Sequence, residues 1–203
     1  MVDTVLSGGW IIDGTRTPPY QADLCIQDGK IVAISPQWEG NCRTRVDVTG
    51  KIVSPGFIDI HTHGAYGFDT NDGDADGLRM WMKRIPEEGV TSILPTTVTQ
   101  LPDVLEKAVA NVARVTEAGY EGAEILGIHF EGPYLDMEYK GAQPPEAIAV
   151  PDVEQFQRYQ EAAKGLIRYI TLAPEHDEDF ALTRYCASHG VIVSMGHSAA
   201  TYE

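Results

Sequence analysis

Five β-prone runs separated by amphipathic stretches that each stop at a glycine predict an α/β fold, a partial (β/α)8 TIM-type barrel of about five βα units. A series of short β-prone runs ahead of them predicts a small β-sandwich-like domain. Metal-ligand residue types recur at the carboxyl ends of the later runs, where parallel α/β folds gather their functional groups. The small all-β domain is placed at 1–53 and the barrel portion at 54–203, breaking off after the fifth strand.

The first domain rests on Thr4-Val-Leu, Trp10-Ile-Ile, Asp23-Leu-Cys-Ile, Lys30-Ile-Val-Ala-Ile and Arg45-Val-Asp-Val, short runs between turn residues. Asp28-Gly29 between two of them is a strong two-residue hairpin signal. So few strands make a thin sheet whose apolar face needs another layer.

Beyond Gly64 the pattern alternates helix and strand. Helical stretches at about 75–88, 101–118, 152–164 and 178–189 run into Gly89, Gly119, Gly165 and Gly190, the residue that suits a left-handed helix end. The second carries Leu101, Leu105, Ala108, Val109, Val112 and Val115 on one stripe, and the last carries Ala181, Leu182, Tyr185, Cys186 and His189. The strands between them are read at 55–61, 90–98, 123–131, 166–172 and 191–197. Their spacing matches the pitch of an eightfold barrel, which averages about 250 residues. A doubly wound open sheet is the alternative, but no Gly-x-Gly-x-x-Gly turn follows the first strand to support nucleotide binding.

With 43% hydrophobic and 8% aromatic residues, 203 residues can bury a substantial core, which excludes a disordered chain. A net charge of −15 without any basic stripe argues against nucleic acid and anionic membrane as partners. Cys25, Cys42 and Cys186 are odd in number and lack metal-type spacing, so reduced thiols and a cytoplasmic location are expected. The N-terminus has no signal-peptide pattern, and no window approaches the eighteen or so apolar residues of a membrane span.

The chemistry centres on Ser54-Pro-Gly-Phe-Ile-Asp-Ile-His-Thr-His-Gly64. Alternation puts His61 and His63 on one face of a strand end with Cα atoms roughly 6.5 Å apart, close enough for two imidazoles to share a metal. Alone, the pair is weak evidence and is better explained by one solvated and one hydrogen-bonded ring. Asp59 has the same parity and is expected to orient a ring. Glu131, in His129-Phe-Glu-Gly-Pro-Tyr134, and His197, in Ser194-Met-Gly-His, sit at two further strand ends. Four such residues recurring there point to a metal site more strongly than any one. His129 lies a layer deeper and is expected to pack rather than ligate. His176 is placed at the site mouth, and His189 beside a helix end where the dipole accounts for it.

Pro55-Gly-Phe-Ile-Asp-Ile-His-Thr-His-Gly, His129-Phe-Glu-Gly-Pro-Tyr, Lys140-Gly-Ala, Leu172-Ala-Pro-Glu and Gly196-His-Ser-Ala-Ala-Thr-Tyr, in this order, resemble the N-acetylglucosamine-6-phosphate deacetylase family of the amidohydrolase superfamily. The resemblance covers essentially the whole chain. It implies deacetylation of N-acetylglucosamine 6-phosphate to glucosamine 6-phosphate and acetate, with Glu131 and His197 as metal ligands and Ala142 and Gln143 touching the sugar. One or two divalent ions are implied, zinc foremost, with iron, manganese or cobalt as alternatives, because the His61/His63 pair that some members lack is intact. Many members have histidine where Gln143 stands. Members run to nearly twice this length, so the phosphate-binding residues, another histidine ligand and the acid-base aspartate are expected beyond residue 203. No catalytic acid is identified here, and neither Asp59 nor Asp69 can be assigned that part. The chain alone is expected to be inactive, and a complete member to be a homodimer acting on a small phosphorylated amino sugar. The alternatives are another amidohydrolase acting on a cyclic or N-acyl amide, or an inactive truncated module. The first usually needs a carboxylated lysine on the fourth strand, and Leu166-Ile-Arg-Tyr-Ile-Thr-Leu has none.

Overall fold

The computed structural model describes residues 1–201, which form two compact units, Met1–Gly56 and Phe57 onward. The first unit contains β1 (Val2–Ile11), β2 (Tyr20–Gln27), β3 (Lys30–Ser35), β4 (Cys42–Asp47) and β5 (Ile52–Val53). Among the described residues these make one sheet, not two facing ones, in the order β3-β2-β1-β4 with β5 also beside β1. The runs at Thr4 and Trp10 belong to a single strand, β1, whose register shifts between Leu6 and Gly9. Gly8 carries that bulge at φ +77°, and a Cβ there would lie 2.7 Å from Thr49 Oγ1. Asp28 (φ +50°) and Gly29 (φ +72°) turn β2 into β3 as the hairpin signal predicts. Val5, Ile11, Ala22 and Cys25 are buried, whereas Ile31, Val32 and Ile34 on β3 are exposed.

The second unit alternates β6 (Phe57–Thr62), α1 (Ala75–Arg84), β7 (Val90–Pro95), α2 (Pro102–Ala118), β8 (Glu124–Ile125), β9 (Ile128–Glu131), α3 (Val153–Ala162), β10 (Ile167–Leu172), α4 (Ala181–Ser188) and β11 (Ile192–Met195). Two parallel sheets result, β6-β7-β8 and β11-β10-β9. A parallel bridge from Thr96 to His129 sets the end of β7 beside β9, and Thr97 N–H donates to the His129 carbonyl at 3.0 Å. The strands β6, β7, β9, β10 and β11 therefore follow one another in sequence order, without the reversal of a doubly wound sheet.

The run 123–131, expected as one strand, is two. Its first half pairs with β7 and its second with β10. The change of partner occurs at Gly127, where the backbone passes so close to the Leu166 carbonyl that a Cβ would lie 2.8 Å from it. The last strand also ends early, at Met195, because His197 takes a left-handed φ of +51°.

The helices form where the stripes and caps place them. Asp74 accepts from Asp76 and Gly77 N–H to start α1, Pro102 opens α2, and Asp152 accepts from Gln155 N–H to start α3. On α2 the stripe Leu105, Ala108, Val109, Val112 and Val115 is fully buried, but Leu101 is an exposed cap residue. On α4 only Leu182 and Cys186 of the stripe are buried. Their shared core includes Trp81 and the cluster Phe130, Phe156 and Tyr159, each ring fully buried. Burying a Phe-sized side chain contributes roughly 1.5–3 kcal/mol. This packing fixes the sheet that delivers the polar residues described next.

Candidate metal centre

Glu131 is the last residue of β9 and is almost wholly buried. An apolar strand carries it inward, and Gly132 (φ +69°) then turns the chain so tightly that a Cβ there would overlap Thr99 Oγ1. Its carboxylate meets three imidazoles. Oε2 lies 3.2 Å from His63 Nε2 and 3.7 Å from His61 Nε2, and Oε1 lies 3.1 Å from His197 Nε2. Donor atoms of His61, His63 and Glu131 all fall within 4.8 Å of one another. His61 near the end of β6 and His63 just past it set their two rings edge to face at 5.2 Å.

The outer nitrogens decide the tautomers. His63 Nδ1 faces the Thr96 carbonyl at 3.3 Å, and His197 Nδ1 faces the Tyr139 carbonyl at 2.9 Å. A carbonyl only accepts, so each Nδ1 carries the proton and each neutral ring turns a lone pair at the Glu131 carboxylate. Lone pair against carboxylate is repulsive unless a cation lies between them or the ring gains a second proton. Neutral imidazole nitrogens with one carboxylate are the donors that a first-row divalent cation takes. The residues present therefore fit such an ion. The same electrostatics favours a second proton on His63, whose Nε2–H then donates to Glu131, and this pushes the ring above its ordinary value against burial. Burial would raise the Glu131 carboxyl, but the hydrogen bond from His63 and the fields of the other rings more than offset it, leaving it below the usual range.

Other sequence-predicted residues fall differently. Asp59 orients no ring; its Oδ1 accepts from His61 N–H at 3.0 Å, a local turn that holds the strand end instead. His129 is buried with Nδ1 2.8 Å from the Ile60 carbonyl and Nε2 2.8 Å from Thr171 Oγ1, so both nitrogens are used within the sheet. Burial holds it neutral, at about 4. His176 pairs with Asp136 at 2.8 Å and stands outside the Glu131 group. His189 stacks on Tyr185 at a helix end. Asp69 caps a short turn by accepting from Asn71 N–H. Ala142 is exposed on the loop after Lys140, whereas Gln143 is buried and donates to Glu131 Oε2 at 3.1 Å. Sequence reasoning missed the loop after β7. Thr96, Thr97 and Thr99 are buried, and Thr97 Oγ1 accepts from Glu131 N–H at 3.2 Å. A run of threonines closing an apolar strand was the available signal.

Parallel strands bring His-x-His, Glu and His to one carboxyl-end cluster, a candidate metal-binding group. Residues 52–184 match the amidohydrolase family, and the chain belongs to it. The particular relatives are sugar-phosphate deacetylases. The chain is 44% identical over 181 residues to N-acetylglucosamine-6-phosphate deacetylase of Bacillus subtilis (strain 168), covering 86% of this chain and 46% of that protein. A crystal structure of N-acetyl-D-glucosamine-6-phosphate deacetylase from Mycobacterium smegmatis superposes with a TM-score of 0.85 at 29% identity, covering 98% of this chain and 55% of the other. A variant of that enzyme, solved in complex with N-acetyl-D-glucosamine-6-phosphate, superposes at 0.82 with 28% identity, covering all of this chain and 51% of the other. The chain spans about half the length of the curated relatives it matches.

Proposed function

We propose that a protein carrying this chain releases acetate from N-acetylglucosamine 6-phosphate by metal-assisted amide hydrolysis. The single observation behind this reading is the Glu131 carboxylate facing His61, His63 and His197 at once. Those four residues would hold the ion, and Oε2 turned to the His61/His63 pair with Oε1 turned to His197 suits one or two divalent cations, zinc first among them. Bound there, the metal would supply Lewis acidity, polarising an amide carbonyl and making water acidic enough to yield hydroxide near neutral pH. The chain's own part is to fix the ligands: Thr96 and Tyr139 carbonyls hold the His63 and His197 tautomers, and Thr97 anchors the Glu131 backbone. Ala142, exposed beside the centre on its loop, and the second N–H of Gln143 would meet the sugar.

The sequential order of β6, β7, β9, β10 and β11 supports reading residues 54–203 as about five βα units of a (β/α)8 barrel, with residues 1–53 as a small β domain. No described helix is long and apolar enough to cross a membrane, and a cytoplasmic homodimer is the assembly we propose.

Two measurements test this. Metal analysis of a His61→Ala, Glu131→Ala, His197→Ala triple variant should find almost none, and wild-type stoichiometry would move the ion elsewhere. Comparing kcat/KM on the phosphorylated sugar, the unphosphorylated sugar and dihydroorotate should favour the first. Preference for the cyclic amide would make the protein a different amidohydrolase.

A further inference from the structure

We propose that Gln143 is a positioning residue for the metal carboxylate, holding Glu131 by the same oxygen that faces His61 and His63. This rests on the metal-centre reading above and deepens it. Gln143 is 6% exposed, while Ala142 beside it is exposed, so the loop turns one residue outward and drives the next into the site. The turn that does so is closed by Gln143 N–H donating to the Lys140 carbonyl at 3.1 Å, with Gly141 at φ +60°, and Pro144 and Pro145 stiffen the exit.

Both ends of the carboxamide are engaged. Thr99 N–H donates to Gln143 Oε1 at 2.8 Å, and Gln143 Nε2 donates to Glu131 Oε2 at 3.1 Å. A carboxamide is planar, so fixing its oxygen on the Thr99 backbone also fixes where its N–H groups point. The N–H aimed at Oε2 occupies one lone-pair direction of the oxygen that faces His61 and His63. What remains of that oxygen is directed at the imidazoles. Buried carboxylates need such donors to stay ionised and in one rotamer, and partners of this kind behind a ligand govern metal affinity.

The same loop is tied to the other half of the centre, since the Tyr139 carbonyl takes His197 Nδ1 and Asp136 N–H donates to the His197 carbonyl at 2.9 Å. Gln143 is the one of these ties that reaches a ligand atom through a side chain. Replacing it removes the interactions with Glu131 and the Thr99 N–H and leaves the Tyr139 and Asp136 backbone ties to His197 in place.

The test is zinc affinity by chelator competition, with the visible spectrum of the cobalt-loaded protein as a report on ligand geometry. Gln143→Ala and Gln143→Met should each weaken zinc by about tenfold to a hundredfold and shift the cobalt bands, and Gln143→His, which keeps an N–H donor, should recover most of both. Melting of the metal-free variants checks folding. If Gln143→Ala is unfolded, the volume-matched Gln143→Met decides. Unchanged zinc affinity and an unchanged cobalt spectrum in the folded variants would overturn the proposal. Metal retained by the His61, Glu131, His197 triple variant would overturn the centre itself. A response to Gln143 without any deacetylation of the sugar would remove only the substrate reading.

Discussion

Asp23 shows how far one buried carboxylate can organise a thin sheet. It accepts from Gly8 N–H at 2.9 Å and Trp38 N–H at 3.0 Å and pairs with Arg45 at 3.3 Å, tying the β1 bulge, the loop after β3 and β4 to β2. Burial works to raise its carboxyl, but these donors prevail and hold it below its ordinary value. Because the folded value is the lower one, its contribution is complete above the unfolded value of about 3.9 and is lost as pH falls through the folded value. Asp23→Ala should cost about 1–3 kcal/mol at neutral pH, by leaving two backbone N–H groups unpaired. The difference in urea midpoint between wild type and variant should narrow as pH falls below the unfolded value of about 3.9 and through the folded one, leaving the part due to the two unpaired N–H groups; a difference that does not narrow would show that the charge of Asp23 contributes nothing. Hydrogen exchange should locate the effect at Gly8 and Trp38.

At the scale of elements, the starts and stops are set by contacts that reach outside the element. Helix α4 begins after Phe180 at φ +53°, a position with no capping side chain. Its first turn is satisfied by Asp177, whose oxygens accept from Leu182 and Thr183 N–H at 3.0 and 2.8 Å. Asp177→Ala should destabilise by about 1–2 kcal/mol, with exchange at Leu182 and Thr183 accelerated and that in α2 unchanged. The turn after β9 is more demanding. Gly132→Ala combines a left-handed φ with overlap on Thr99 Oγ1, so it should lower the melting temperature and weaken zinc. Adding Thr99→Gly removes the overlap and not the φ penalty, and partial recovery is the expected result. Full recovery would mean that the backbone conformation carries no cost.

For the molecule as a whole, the exposed apolar residues of β6 and β11 decide behaviour in solution. Phe57 is 72% exposed, Ile58 63%, Ile192 61% and Met195 72%, and among the described residues β6 pairs only with β7 and β11 only with β10. An unpaired parallel edge beside apolar surface is a template for association. The net charge of −15 opposes it at low ionic strength. Sedimentation of the 203-residue chain should therefore show self-association that grows with salt, and Ile192→Lys with Met195→Lys should suppress it. A monomer at every salt concentration would refute this.

The sequence by itself determined the periodicities and the punctuation: helices where apolar residues recur every three to four positions, glycines at their ends, the Asp28-Gly29 hairpin, and the ligand types at strand ends. These are local consequences of backbone geometry, so neighbouring residues suffice to read them. It did not reveal that Asp59 binds its own strand end, that the run 123–131 splits between two sheets at Gly127, or that Gln143 turns inward to Glu131. The first is a two-residue contact that competes with the ring-orienting role parity suggests, and the other two depend on a residue from another element: the Leu166 carbonyl at Gly127, the Thr99 N–H at Gln143. Only the tertiary structure decided them, because a hydrogen bond or a close approach across dozens of residues leaves no periodic trace in the chain that makes it.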